Sequence, residues 1–227
     1  MTTATAPDPT VPTIGGSHHF LLRRLHSLTG IIFGLYVAFH LVVNATIVQG
    51  GNVYQQQVDK IHSLPFLLAV EWVTIFLPII YHTVYGLWII FTGQPNNGSY
   101  PFFKNTFYLL QRISAIILVA FIAFHVLGMK GWFGSGFEFD PTHATPSIAR
   151  SIDAHWFVAW IVYPVGILAA CFHTANGFWA SAVTWGLTVS AGAQRRWGWV
   201  CVAIFVAMTL AGAVALGASI AAGHPHS

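Results

Sequence analysis

The stretch Phe76-Leu77-Pro78-Ile79-Ile80-Tyr81-His82-Thr83-Val84-Tyr85-Gly86 lies inside an apolar run from about Leu64 to Thr92. That run carries one carboxylate, Glu71, and one imidazole, His82. Crossing a bilayer core takes about 20 helical residues. The run therefore reads as a membrane-spanning helix, kinked at Pro78 because proline removes a backbone donor and clashes with the preceding turn. An ionisable side chain deep in such a span is expensive and marks function.

Four more runs have this length: about Phe20 to Val48, Thr106 to Met129, Ser151 to Thr184 and Trp197 to Ala222. Only 7% of the 227 residues are charged, against about 25% in soluble domains. The fold class is all-α: an integral membrane bundle of five transmembrane helices. Residues 1–19 read as a mobile N-terminal tail, rich in Thr and Pro, with no apolar segment of a cleavable signal peptide. Residues 20–222 form the bundle and residues 223–227 a C-terminal tail. The polar stretches Gln49 to His62, Gly93 to Lys104 and Lys130 to Arg150 read as loops, and Asp153 and His155 fall near the start of the fourth span. Cys171 and Cys201 lie in apolar runs without zinc or CxxC spacing. The formal charge of +3 is small and scattered, which excludes nucleic acid as a partner.

Cationic residues near span ends set orientation. Arg23, Arg24, Lys104, Arg112, Arg195 and Arg196 fall on the side of the N-terminus, and Lys60, Lys130 and Arg150 on the other. The excess places the N-terminus in the cytoplasm and the C-terminus outside.

Three further spans repeat the aromatic–histidine pair: Phe39-His40, Phe124-His125 and Phe172-His173. Neutral imidazole is the commonest metal ligand. His40 and His125 lie in the outer parts of two outward-running helices. His82 and His173 each lie about ten residues, or about 15 Å, before the inner ends of two inward-running helices. The four sort into an outer pair, His40 with His125, and an inner pair, His82 with His173. Each pair joins two helices at one depth, as two axial ligands of a haem iron require. Zinc wants about four ligands in one place, whereas this set divides by depth. The alternative is that the imidazoles bond neighbouring helices.

His82 and His173 both open His-Thr-x-x-Gly, ending at Gly86 and Gly177. Glycine one turn along leaves room for a flat ring, and Arg or Lys near the span ends could meet propionates. Gly30-x-x-x-Gly34 is either a helix-packing motif or a further gap for the ring. His26 lies near the inner interface.

The segments Arg23-Arg-Leu-His-Ser-Leu-Thr-Gly30, His40-Leu-Val-Val-Asn44, Ser63-Leu-Pro-Phe66, Phe76 to Gly86, Leu110-Gln-Arg112 and Asn176-Gly-Phe-Trp-Ala-Ser-Ala-Val-Thr-Trp-Gly186 together resemble the cytochrome b membrane subunit of succinate dehydrogenase, in its single-chain, five-helix, two-haem form. The resemblance covers nearly everything after the N-terminal tail. It implies two haems b, with His40, His82, His125 and His173 as axial ligands paired as above. It implies a flavoprotein and an iron–sulfur partner on the cytoplasmic side, and electron flow from succinate through the inner and then the outer haem to menaquinone. The place is the cell's cytoplasmic membrane, and a higher oligomer of the complex is compatible with it. Quinol:fumarate reductases share this architecture, and a stand-alone di-haem cytochrome b would present the same four ligands.

Two further sites follow. Glu71, about seven residues into the second span from its outer side, is placed to protonate reduced quinone, since a buried carboxyl holds its proton more tightly; it could instead snorkel to the interface or pair with Lys60. Arg24, His26 and Ser27 resemble the polar cluster of an inner quinone site, or would contact propionates; Arg23 and Arg24 alternatively set topology and meet lipid phosphates.

Overall fold

A computed structural model describes residues 17–93, 103–134 and 136–223. Most of both expected tails and the centre of the turn after the second span lie outside the described residues. Among the described residues, five helices are long and apolar enough to cross a membrane.

The first span is α1 (Ser17–Ala45), continued by a 3-10 turn (Thr46–Gln49). Next comes α2 (Gly51–His62), where a loop was expected. The segment is polar on average, but Tyr54 and Val58 stand one turn apart and are buried, which gives α2 one apolar stripe against the bundle end. The second span is α3 (Leu67–Glu71), a π-turn (Trp72–Phe76) and α4 (Leu77–Thr92). The π-turn runs into Pro78, whose missing N–H breaks the regular ladder, so the helix widens there.

The third span is α5 (Phe103–Met129). The expected loop after it contains a second unforeseen helix, α6 (Ala144–Asp153). Its buried positions, Ala144, Ser147, Ala149, Ser151 and Ile152, are small or apolar, and all but Ala149 share one side. The fourth span starts at Val158 with another π-turn (Val158–Val162) before Pro164, and continues as α7 (Tyr163–Thr184). Asp153 therefore closes α6, and His155 lies in the turn that follows. The last span is α8 (Ala191–Gly223).

α1 packs along α4, α7 and α8, and α7 along α1, α5 and α8, while α4 and α5 touch only sparsely. The spans α1, α4, α5 and α7 thus form a four-sided arrangement, with α8 laid outside the α1–α7 seam. Among the described residues, three apolar cores hold it. One gathers Leu41, Cys171 and Met208 on the α1–α7–α8 seam. The other two, around Tyr54 and Ala144 and around Val158 and Tyr163, lie at the end where α2 and α6 cap the bundle. Among the described residues, no core includes a residue of the second span. Large apolar side chains such as Leu35, Phe39, Phe91 and Leu210 face outward, as they must where lipid replaces water.

Candidate functional site

The four span histidines meet in two pairs. The His82 and His173 rings stand 6.1 Å apart between centroids, at 85°. His40 and His125 stand 5.9 Å apart, at 78°. Neither α4 with α7 nor α1 with α5 is a closely packed pair, so each histidine pair reaches across a diagonal of the four-helix arrangement. The levels are distinct. His26 and Gly30, which meet His82, lie 14 and 10 residues before His40, about 15–21 Å along α1. Among the described residues, no group of three or more His, Cys, Asp or Glu forms a site for a bare metal ion.

Each ring is oriented by a second residue. His82 Nδ1 donates to the His26 carbonyl (3.1 Å), and the two imidazoles stack at 4.0 Å and 12°. His173 Nδ1 is 3.2 Å from Ser114 Oγ. Ser114 is buried and donates to the Gln111 carbonyl, so it accepts from the imidazole. Gln111 also donates to the His173 carbonyl and accepts from Asn176. His125 Nδ1 is 3.2 Å from the Tyr163 hydroxyl. These three leave Nε2 as the free ring nitrogen. His40 differs: Asn44 Nδ2 donates to its carbonyl (2.7 Å) and approaches its Nε2 (3.4 Å). Asn44 Oδ1 accepts in turn from Tyr54 on α2 (3.2 Å). Burial pushes the Tyr54 phenol up to about 12, so it keeps its proton and donates at neutral pH. Sequence reading missed Ser114, Tyr163 and Tyr54. A lone serine in an apolar span is a findable signal for Ser114; Tyr163 and Tyr54 become partners only through the bundle's closure.

The glycines divide by role. A Cβ on Gly30 would sit 2.6 Å from His82 Cε1, so its absence admits the imidazole. Gly34 faces Phe178 and Thr174 of α7 and serves packing. The space beside Gly86 is taken by the His26 ring, whereas Gly177 has only Gln111 nearby, at 3.7 Å.

Glu71 closes α3 and is partly exposed. It is close enough to Tyr36 for the two to interact electrostatically, and Tyr36 tilts against the His40 ring at 5.7 Å. At the other level, Arg24 stacks on Phe20 and Trp185. Ser27 is engaged with Ser181 (2.9 Å) and Trp185 (3.0 Å). A groove of about 490 Å³ runs beside them, lined by Leu21, Leu22, Arg24, Leu25, Leu28 and Trp185. Arg112 spans from α5 to the end of α4, donating to the Gly93 and Ile89 carbonyls.

No family model matches the chain. Over 206 residues it is 37% identical to the succinate dehydrogenase cytochrome b558 subunit of Bacillus subtilis (strain 168), covering 89% of this chain and 98% of that protein. The chain belongs to the family of succinate dehydrogenase cytochrome b subunits. As such a subunit it is a multi-pass membrane protein that anchors an enzyme complex. A cytochrome b subunit implies haem b as the cofactor.

Proposed function

We propose that this subunit holds two haems b, one between His82 and His173 and one between His40 and His125. In that reading it passes electrons from an iron–sulfur partner to menaquinone. The observation that carries this is the spacing of the two ring pairs. An imidazole nitrogen binds a first-row metal at about 2.0–2.1 Å, so two imidazoles that held one iron between them, with roughly 1 Å more to each ring centre, would have centroids about 6 Å apart. The rings stand at 6.1 and 5.9 Å.

The surroundings fit a porphyrin. The donors come in twos, and a macrocycle supplies four nitrogens of its own. Among the described residues, the buried side-chain polar atoms without a partner are Arg24 Nε, His26 Nδ1, Tyr85 Oη, Arg112 Nε and Thr188 Oγ1, and His26 stacks directly on His82. Tyr85 tilts onto His26 at 5.5 Å. Such atoms are costly unless satisfied, and porphyrin carboxylates match them. Arg24 and His26 therefore belong with those carboxylates rather than with an inner quinone, and the Ser27 hydroxyl is committed to Ser181 and Trp185.

A bound haem supplies a one-electron carrier. The chain's residues do the rest. His82, His125 and His173 present Nε2 because a neighbour holds Nδ1, which fixes tautomer and ring plane. The apolar spans exclude water. Glu71 supplies protons to quinone reduced beside His40, with Tyr36 between them. The cationic excess puts the N-terminus and the iron–sulfur and flavoprotein partners in the cytoplasm, and the His40–His125 level near the outer face of the cell's cytoplasmic membrane.

The test is the reduced-minus-oxidised visible spectrum of the purified complex, for His40→Ala and His82→Ala separately. Each substitution removes a different b-type signal. Loss of the same signal by both, or of neither, overturns the assignment.

A further inference from the structure

His173 is held by α5 from two sides, and Gln111 serves both. Ser114 Oγ lies 3.2 Å from His173 Nδ1 and donates to the Gln111 carbonyl at 3.0 Å. A carbonyl only accepts, so the single hydroxyl hydrogen is committed there, and the oxygen is left to receive the imidazole N–H. Ser114 is 5% exposed, so little water competes for that bond. The Gln111 side chain reaches the same histidine from its main-chain side, donating to the His173 carbonyl at 3.1 Å. The direction of this amide is fixed. Its nitrogen must face the carbonyl, and its oxygen takes the Asn176 amide at 2.8 Å. Gln111 thus ties α5 to α7 at His173 and at Asn176. These ties act at one level. Gln111 and Ser114 precede His125 by 14 and 11 residues, about 16–21 Å along α5. Near His125 the two helices are locked separately, with the Phe121 ring standing where a Cβ on Gly166 would lie.

We propose that Gln111 is a positioning residue for His173: by pinning the His173 main chain to α5 it keeps the imidazole within reach of Ser114, and so holds down the reduction potential at the His82–His173 level. The inference rests on the haem reading above. A hydrogen bond from Nδ1–H to an acceptor makes the imidazole a more basic ligand, and an electron-rich ligand favours the oxidised metal. At 3.2 Å the bond to Ser114 is at the long end of the range for N–H···O. A small slide of α7 past α5 breaks it. Without the Gln111 amide nothing polar opposes that slide at this level, the imidazole loses its acceptor, and the potential rises.

The experiment uses the intact complex in membranes. Gln111→Met keeps the length and bulk of the side chain and deletes both amide bonds. Redox titration of each haem signal is read with the low-spin ferric EPR spectrum, whose largest g value follows the angle between the two axial ring planes, 85° here. At a fixed applied potential the ratio of reduced to oxidised haem at the His82–His173 level rises roughly 2- to 10-fold, the weight of one hydrogen bond, and its g value moves. The His40–His125 signal stays as it is, which reports an intact bundle. Ser114→Ala gives a rise of the same sign, and adding Gln111→Met to it adds nothing, because Gln111 acts through that hydroxyl. A potential at the His82–His173 level that stays or falls in Gln111→Met, or an equal further rise in the Ser114→Ala background, overturns the proposal. If Gln111→Met retains neither haem, Asn176→Leu, which removes the bond that aims the amide, is read by the same criteria. His173→Ala separates the two layers of argument. If it keeps both haem signals, the ligand assignment fails. If it loses one while Gln111→Met changes nothing, only the positioning role fails.

Discussion

Gly30→Ala is the smallest perturbation that discriminates a ligand cage from ordinary helix packing. The added Cβ would stand 2.6 Å from His82 Cε1 and 2.9 Å from Nδ1. Favourable carbon contacts begin at about 3.5 Å, so the imidazole must retreat by about 1 Å. Retreat from α1 lengthens the bond from Nδ1 to the His26 carbonyl, now 3.1 Å, and alters the 6.1 Å spacing to His173. Overpacking of this kind costs about 1–3 kcal/mol, and the lost hydrogen bond about 1 kcal/mol more. Displacing an orienting contact of a metal ligand typically lowers metal affinity about 10–100-fold. The assay is haem content per polypeptide, with the low-temperature difference spectrum of isolated membranes. The His82–His173 signal is lost or shifted and the other persists. Gly34→Ala is the control, because the atoms nearest its Cβ would belong to Phe178 and Thr174, at 3.0 Å, and it alters thermal stability without altering either spectrum. Full haem content and an unchanged spectrum in Gly30→Ala refute the reasoning.

Further outcomes are expected. Ser114→Ala strips His173 of its buried acceptor, and we expect about 1–3 kcal/mol of lost stability with a shifted potential at the His82–His173 site, read by redox titration. Glu71→Gln keeps both haem spectra and lowers succinate-driven menaquinone reduction; normal turnover removes Glu71 from proton delivery. Between the ordinary phenol value of about 10 and the folded value of about 12, the folded chain binds one more proton at Tyr54 than the unfolded chain. That contribution to stability is complete below pH 10 and is lost as pH rises through 12, so Tyr54→Phe flattens an alkaline unfolding curve in that window. Moving one charge against 100 mV costs about 2.3 kcal/mol; collapsing the membrane potential in intact cells therefore slows succinate-driven menaquinone reduction, and an unchanged rate argues for reduction on the inner side.

The five spans were legible because apolar runs of membrane length have few other meanings. The pairing was legible because helix direction alone sorts His40 and His125 from His82 and His173. What could not be read was which neighbour orients each ring. Ser114 reaches His173 across 59 residues and Tyr163 reaches His125 across 38, distances that only closure of the bundle brings to contact. α2 and α6 escaped because their mean polarity masks the narrow stripe that each buries. The two glycines of Gly30-x-x-x-Gly34 look equivalent in a sequence, yet one faces an imidazole and the other a phenylalanine. Gly86 shows the opposite lesson: its position on the helix face was right, but His26 fills the room beside it.

The crossed diagonals also have a consequence for biogenesis. His40 and His125 are both present once the third span has been made, whereas His82 waits for His173 on the fourth. The two pairs of imidazoles are thus complete at different moments as the nascent chain enters the bilayer, although Tyr163, which meets His125, arrives only with α7. A chain interrupted after α5 carries both rings of one pair and a single ring of the other.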